Sequence, residues 1–272
     1  MILRFRGALN VGVMLVLCLV TLLPFYMMFI MGTYVSEDLF KGVVMLPGDY
    51  LAENVRTILS SNFVRFYWNS FYISFVSTAL CVLVSALTGF AFAKYRFRGK
   101  NFLYFFILAT MMIPGQLGLV GYVIEMRQFG LSNSHLALII PWISSAFGVF
   151  WMTLSIRSSV SNEIIESARI DGCHDVTIFG RIVLPMIVPA IVTLSLLTFL
   201  WSWNNYVLPL ILVNHPDRYT VPLGIATLSG IYRTDYAAQI LGLAIGTLPI
   251  LFLYAFGSKH FTQGLMAGSV KG

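Results

Sequence analysis

The chain has 272 residues, of which 58% are apolar and only 10% are charged, whereas a soluble domain carries about 25% charged residues. So few charges cannot cover a water-facing surface of this size, which excludes an ordinary soluble protein and makes lipid the main solvent. The net charge of +6 does not indicate a nucleic-acid partner, since the basic residues lie in short loops between apolar runs, where the membrane accounts for them.

Six apolar runs that are long enough to cross a bilayer follow one another along the chain. A helix needs about 20 apolar residues to cross the hydrocarbon core, and none of these runs contains Asp, Glu, Lys or Arg. The runs are continuous, unlike the alternating strands of about 10 residues that build a barrel. They predict an all-α integral membrane protein with a single transmembrane domain over residues 1–272 and spans at residues 11–35, 69–93, 102–124, 136–156, 186–213 and 237–257.

The basic residues are concentrated on one side of these spans. If the N-terminus is inside, the inside segments contain 11 Lys and Arg in 62 residues, and the outside segments contain 6 in 67. The short loop 94–101 alone contains four of the 11. The positive-inside rule therefore predicts a multi-pass protein of the cell membrane with both termini in the cytoplasm.

The spans contain no Asp, Glu, Lys, Arg or His, although ion-coupled carriers commonly place such residues at mid-membrane. The four histidines lie in or near loops. The chain also lacks a phosphate-binding loop of the G-x-x-x-x-G-K-[ST] form. The sequence therefore predicts no catalytic residue, metal site or cofactor in this chain, and any ATPase that drives transport is expected to be a separate protein.

The cytoplasmic loop 157–185 contains four of the eleven acidic residues. Asn162 is a suitable cap for a first helix, and Gly172 is the expected C-terminal stop. A second amphipathic helix is predicted from near Asp175 to Pro185. The apolar faces of the two helices lie either on the bilayer and the chain's own bundle or in the groove of a second protein.

The same loop resembles the coupling-loop signature of binding-protein-dependent ABC importer permeases. That signature is E-A-A, three residues, G, nine residues, I, one residue and L-P, and this chain departs from it only in the serine at the second position. The resemblance implies that the loop lies in a cleft of a cytoplasmic ATPase, which binds ATP and Mg²⁺, and passes its motion to the membrane helices. The residues implied in ATPase coupling are Glu166, Ser167, Ala168, Asp171, Gly172, Ile182, Leu184 and Pro185.

Span 5 contains a run of aromatic and amide residues followed by Pro209-Leu210. This run resembles the span-5 motif of maltose-type carbohydrate permeases, and the end of the chain, residues 264–272, is similar to the smaller, six-span subunit of that group. Amides and aromatic faces suit a sugar, but the same residues also fit an interfacial aromatic belt with hydrogen bonds between helices. The candidates for the translocation pathway are Trp203, Asn204, Asn205 and Tyr206.

The resemblance implies the type I ABC importer permease fold and a permease subunit of an ATP-driven importer, for a sugar or oligosaccharide, that works by alternating access. The implied partners are a second homologous permease, an ATPase dimer and an extracytoplasmic solute-binding protein. Loop 36–68 either contacts the solute-binding protein or is only a connector. The alternatives are an importer for another solute such as glycerol phosphate, a polyamine or an amino acid, a stand-alone channel or secondary carrier, and a membrane enzyme that uses His174 and Asp175.

Overall fold

The computed structural model describes the backbone of residues 2–228 and 235–269 and the side chains of residues 10–228 and 235–255, so the side chains of the C-terminal motif 264–272 lie outside the described residues. Within these ranges the regular structure is entirely helical, which confirms the predicted fold class. The α-helices are Ile2–Met31, Leu51–Ser60, Phe63–Lys94, Lys100–Thr110, Leu119–Gln128, His135–Ile143, Ala146–Ser159, Asn162–Ile170, Asp175–Ile178, Leu184–Met186, Val188–Trp203, Val207–Leu212, Val221–Ala226 and Tyr236–Ser269. Asp38–Phe40, Gly115–Gly118 and Pro216–Arg218 are 3₁₀ turns, and Phe179–Val183 is a π turn.

Three of the helices are long and apolar enough to cross a membrane: Asn10–Met31, Phe63–Lys94 and Tyr236–Ala255. Three further stretches reach that length only as two helices that meet at a bend, and counting each pair as one span gives up to six spans. The pairs are Lys100–Thr110 with Gly115–Gln128 at 90°, His135–Ile143 with Ala146–Ser159 at 40°, and Asp175–Met186 with Val188–Trp203 at 79°. The helices therefore lie where spans were predicted, but half of the spans are broken.

The predicted span 102–124 is interrupted at Pro114. The first helix ends at Thr110, and the chain resumes as a 3₁₀ turn at Gly115 after a 90° change of direction. Proline has no N–H to donate, and its ring disfavours helical geometry at the preceding residue. Pro114 accounts for the bend in this way.

The predicted span 186–213 is also interrupted. The helix Val188–Trp203 ends at the first of the two asparagines, and the next helix begins after a three-residue break. Asn205 Oδ1 accepts a hydrogen bond from the Leu208 N–H at 3.1 Å, which starts the second helix. Pro209 cannot donate to the Asn205 carbonyl, so that the proline and the capping amide together favour a break over a continuous helix.

Contacts divide the chain into two compact units, one formed by the chain up to Tyr67 with Val221–Leu248 and one by Trp68–Thr220 with the chain from Pro249. In the first unit the long N-terminal helix ends at Met31, four residues before the predicted end of its span. The buried Asn54 amide donates to the carbonyls of Gly32 at 2.8 Å and Tyr34 at 2.9 Å. These bonds satisfy carbonyls at the helix end that have no partner within the helix.

In the second unit, the helix that ends at Lys94 packs closely against the helix Ala146–Ser159. A Cβ added at Gly89 would lie 2.7 Å from Met152 Cβ and 2.9 Å from the Thr153 backbone nitrogen. Only a residue without a side chain permits this approach of the two backbones. Met152 is fully buried in the apolar core on which the 157–185 loop packs.

Candidate functional site

The coupling segment, which we define as residues 161–187, begins with a capped helix. The Ser161 side chain accepts a hydrogen bond from the Ile164 N–H at 3.4 Å, and the helix is Asn162–Ile170. Asn162, the predicted cap, is instead the first helical residue. Hydrogen bonds from the Ser161 hydroxyl and from the Glu163 N–H hold the pKa of the exposed Glu163 carboxyl below its ordinary value. A carboxylate in the first turn also suits the positive end of the helix dipole.

The turn at the end of this helix has the geometry that the sequence predicted. Gly172 has a φ of +80°, in the left-handed region that favours glycine. Its N–H donates to the Arg169 carbonyl at 3.0 Å, and the Cys173 N–H donates to the Ala168 carbonyl at 2.9 Å. These two bonds form a Schellman motif, which closes the helix and reverses the chain.

The second helix of the segment runs further than predicted. It starts at Asp175, widens into the π turn Phe179–Val183 and continues through Pro185 to Met186, so the break before span 5 falls at Ile187. The Leu184 N–H bonds the Phe179 carbonyl, five residues back. Pro185 has no N–H to donate to the carbonyl five residues back, at Gly180, and the helix nevertheless continues through it. The predicted stop at Pro185 was therefore wrong.

The apolar faces of both helices pack on the chain's own bundle. Ala168 is only 6% exposed and lies in the same core cluster as Met152 and Ile156, and Ile182 and Leu184 pack against that cluster partly buried. The other buried members from the coupling segment are Ile165, Ile178, Phe179, Val183 and Ile187. Of the two placements left open by the sequence, these faces occupy the one on the bundle.

The opposite side of the coupling segment is exposed around the turn. Glu166, Ser167, Asp171 and Gly172 are all exposed, as is Pro185 at the far end of the second helix. Two large apolar side chains flank the turn almost entirely in the open: Ile170 is 86% exposed and Val176 is 83% exposed. Sequence reasoning missed both, since neither belongs to the amphipathic stripe. Their position next to a predicted turn, off that stripe, was the available signal.

Charged side chains join the two helices of the coupling segment. The Arg169 guanidinium lies 3.0 Å from Asp175 Oδ1, and both side chains are nearly half exposed. A hydrogen bond from the Tyr95 hydroxyl, followed by the bond from Arg169, holds the pKa of the Asp175 carboxyl below its ordinary value. Burial raises the pKa of Tyr95. The carboxylate is therefore ionised at neutral pH and available for this ion pair.

The second candidate region is a cavity of about 710 Å³, lined by residues of the bent stretches 100–128 and 135–159 and of the break that follows Trp203. Asn204, Asn205 and Tyr206 line it, whereas Trp203 is 2% exposed and stacks on Phe199 at 5.5 Å between ring centroids. The structure thus brings three of the four predicted pathway residues to one cavity and places Trp203 in the packed wall behind them. The cavity is lined by Gly115, Gln116, Gly118, Leu119, Tyr122, Pro141, Trp142, Asn204, Asn205, Tyr206, Val207 and Leu208.

The two asparagines use only part of their hydrogen-bonding capacity within the chain. Asn204 Nδ2 donates to the Leu200 carbonyl at 2.9 Å, and Asn205 Oδ1 accepts from Leu208. Among the described residues, Asn204 Oδ1 and Asn205 Nδ2 make no hydrogen bond. One acceptor and two N–H donors are therefore available to a ligand in the cavity.

Sequence reasoning missed the other polar and aromatic side chains of this cavity. Gln116 is exposed in it, and Trp142 and Tyr122 are half-buried in its wall, where the Tyr122 hydroxyl donates to the Ala137 carbonyl at 2.6 Å. These residues lie 60 or more positions from the asparagines, and only the bends bring them together. Prolines 114 and 141 within apolar runs were the visible signal of such bends.

Comparison with known proteins gives a family and a fold. The model of the family "Binding-protein-dependent transport system inner membrane component" matches residues 82–265. The arabinooligosaccharides transport system permease protein AraQ of Halalkalibacterium halodurans is 32% identical over 87% of this chain and 86% of its own length. The lactose transport system permease protein LacG of Rhizobium radiobacter is 30% identical over 98% of this chain and 97% of its own length.

The fold is also that of a solved structure. A chain in the crystal structure of a bacterial ABC transporter involved in the import of the acidic polysaccharide alginate superposes with a TM-score of 0.78 at 23% identity, over 95% of this chain and 97% of that one. The predicted importer permease fold is confirmed. With the family match over most of the sequence, the chain belongs to the binding-protein-dependent transport system inner membrane components, and it is a permease subunit of an ABC importer and not itself an enzyme.

Proposed function

We propose that this chain is one of the two pore-forming permeases of a sugar importer and that the exposed turn of the coupling segment docks on the importer's ATPase. We name the surface formed by Glu166, Ser167, Ile170, Asp171, Gly172 and Val176 the coupling tip. The exposure of Ile170 and Val176 is the observation that supports it most directly. Large apolar side chains at the cytoplasmic end of a bundle lose contact with water only when a partner covers them.

The remaining residues of the coupling signature support the coupling tip from within. Ala168 is small enough for the helix to lie close on the bundle, and Ile182 and Leu184 anchor the second helix to the same core. A push on the coupling tip is therefore applied to a segment that is packed against the membrane helices and not to a loose loop. Packed elements transmit displacement because close-packed interiors are stiff.

The importer family works with a separate ATPase and a solute-binding protein. In the proposed complex the ATPase is a dimer that binds ATP and Mg²⁺, a second homologous permease completes the pore, and the binding protein delivers solute from outside the cell membrane. Closure of the ATPase moves the coupling segments, and the two permeases alternate between inward and outward access. Family membership argues against the stand-alone channel and the secondary carrier.

A carbohydrate is the solute class that the chain supports best. The relatives AraQ and LacG are named as permease proteins for arabinooligosaccharides and for lactose. The cavity volume of 710 Å³ lies within the range of about 300–1,000 Å³ typical of ligand sites. Unpaired amide groups of Asn204 and Asn205 can bond sugar hydroxyls, while Tyr206 and Trp142 offer aromatic surface. Irregular backbone at membrane depth is tolerated where it lines a water-filled cavity, which fits a pathway.

Site-specific crosslinking tests the docking proposal. Cys18→Ser and Cys173→Ser are introduced first, and Ile170→Cys is added to that variant. The new cysteine is then labelled with a thiol-reactive photo-crosslinker in the purified, transport-competent complex. We expect an adduct with the ATPase. Ile165→Cys, buried on the bundle side of the same helix, is the matched control and should give none. Adducts of Ile170→Cys that reach only lipid or this chain would contradict the docking proposal.

Asn205→Ser tests the pathway proposal. Serine keeps an oxygen that can cap the Leu208 N–H but removes the free amide donor. We expect the KM for uptake to rise between about 2-fold and 12-fold, the value of one hydrogen bond, with the ATPase still bound. Uptake is measured in proteoliposomes with binding protein and labelled arabino-oligosaccharides, lactose and maltodextrins.

The control for that measurement is Asn101→Ala, an exposed asparagine at the start of the helix Lys100–Thr110 and not among the cavity-lining residues. Gln116→Ala is the second test variant, since its side chain is exposed in the cavity. If KM stays at the wild-type value in both Asn205→Ser and Gln116→Ala for every sugar transported, the cavity is not part of the pathway.

A further inference from the structure

A small cluster of side chains joins the coupling segment to a part of the bundle that it does not reach through the chain. The segment continues directly only into the helices Ala146–Ser159 and Val188–Trp203. The loop between Lys94 and Lys100 connects two other helices, and it lies against the coupling segment. Motion imposed on the segment reaches these other helices through packing, and the contacts that the segment itself makes to this loop are made by side chains.

Arg169 is the centre of these contacts. Its guanidinium carbon lies 5.5 Å from the centroid of the Tyr95 ring, which is cation–π distance. Its Nη2 and Nε lie 3.0 Å and 3.3 Å from Asp175 Oδ1. One side chain thus holds together the first helix of the coupling segment, the start of the second helix and the loop after Lys94. We name Tyr95, Arg169 and Asp175 the Tyr95 cluster.

The Tyr95 cluster is fixed to the bundle on its other side. The Tyr95 ring packs edge-on against buried Phe90 at 5.4 Å, and Phe90 in turn contacts the Phe179 ring of the π turn at 5.5 Å. Lys100 Nζ donates to the Tyr95 carbonyl at 2.8 Å. The aromatic ring is therefore held in place by both the helix that ends at Lys94 and the helix that begins at Lys100.

Lys94 makes a second connection at the start of the coupling segment. Its Nζ donates to the Val160 carbonyl and, at 3.0 Å, to Asn162 Oδ1. Arg157 Nη2 donates to the Phe92 carbonyl at 3.3 Å. The Lys94 bonds join the loop to the start of the segment, and the Arg157 bond joins the helix that ends at Lys94 to the helix Ala146–Ser159. The contact is thus a surface with several members and not one isolated ion pair.

We propose that Tyr95 and Arg169 are positioning residues that make the helices ending at Lys94 and beginning at Lys100 move together with the coupling segment when the ATPase closes. This inference rests on the proposed docking of the coupling tip. The ion pair is nearly half exposed, and pairs of that kind contribute little to folding stability. Its several partners on three elements suit a role in orientation instead.

The test compares transport with ATP hydrolysis in proteoliposomes that contain the complete importer. Arg169→Ala and Tyr95→Ala should lower the amount of sugar taken up per ATP hydrolysed, by between about 2-fold and 30-fold, the range for residues that modulate coupling. Copurification of the ATPase and the Ile170→Cys adduct should persist. Tyr95→Phe keeps the ring that Arg169 contacts and should show the wild-type ratio.

Arg98→Ala is the matched control, because Arg98 is exposed in the same loop and makes no contact to the Tyr95 cluster among the described residues. Wild-type uptake per ATP in both alanine variants would overturn the positioning proposal. Loss of the ATPase or of the crosslink in those variants would also overturn it, because the cluster would then be required for docking itself. A wild-type complex without any Ile170→Cys adduct would instead refute the proposed docking.

Discussion

Gly172→Pro is expected to abolish ATP-driven uptake. The native φ of +80° is closed to proline, whose ring fixes φ near −65°. The substitution also removes the N–H that donates to the Arg169 carbonyl. Loss of this bond costs about 0.5–1.5 kcal/mol, but the larger effect is geometric, since the turn between Ile170 and Val176 cannot form. In proteoliposomes, uptake should fall to the level measured without ATP, and ATP hydrolysis should no longer be stimulated by the binding protein.

Two further substitutions separate the backbone effect from a general defect. Gly172→Ala meets no atom within 4 Å, so only the left-handed backbone opposes it, at a cost of roughly 1–2 kcal/mol, and we expect partial uptake. Gly180→Ala, in the same segment, also meets no atom within 4 Å and has no positive φ, so it should transport normally. Normal uptake by Gly172→Pro would show that the turn is not needed for coupling.

Gly89→Leu is expected to prevent the second unit from folding stably. The first atom of any side chain at this position would lie 2.9 Å from the backbone of Met152 and Thr153, which cannot rotate away. Overpacking in a filled core costs about 1–3 kcal/mol, and more where backbone must move. The purified chain in detergent should show a lower Tm and a smaller monodisperse fraction on size exclusion. The clash involves neither the coupling tip nor the cavity. The substitution should therefore act on the stability of the chain and not directly on ATPase docking or on the cavity.

Gly12→Leu is the matched control for this effect. Gly12 lies in the apolar N-terminal helix with no atom within 4 Å of an added Cβ, so the same side chain meets no other residue. We expect its Tm to equal that of the wild type. A Gly89→Leu protein with wild-type Tm would mean that the two helices do not pack through this glycine.

The apolar runs predicted where the membrane helices lie, because length and the absence of charge are local properties. The full breaks at Pro114 and at Asn204–Tyr206 depend on long-range surroundings, since a proline or a pair of amides is accepted in a bent or a broken helix according to what packs around it. The six-span count and the cytoplasmic placement of both termini remain predictions, as do the single domain over residues 1–272, the absence of cofactors from the chain and the individual site residues.

The coupling segment shows the same division between local and long-range information. Gly172 was predicted correctly as a left-handed stop, because the turn depends on one residue's freedom. The cap was assigned to Asn162 and not Ser161, an error of one position between two good capping residues. Which side of the segment meets a partner depends on Phe90, Met152 and Ile156, which are distant in sequence. That is why Ala168 was predicted at the docking surface although it is buried.

The separation of buried and exposed faces in the coupling segment affects how this permease can diversify. Side chains that hold the segment on the bundle, such as Ile165 and Val183, are not those that reach outward, such as Ile170 and Val176. Under the proposed docking, a few substitutions at the outward positions change the choice of ATPase and leave the packing of the subunit intact. Pairing the permease with the ATPase of a related importer then needs only a small number of mutations. Transfer of Ile170 and Val176 to a related permease is the simplest way to change which ATPase that permease binds.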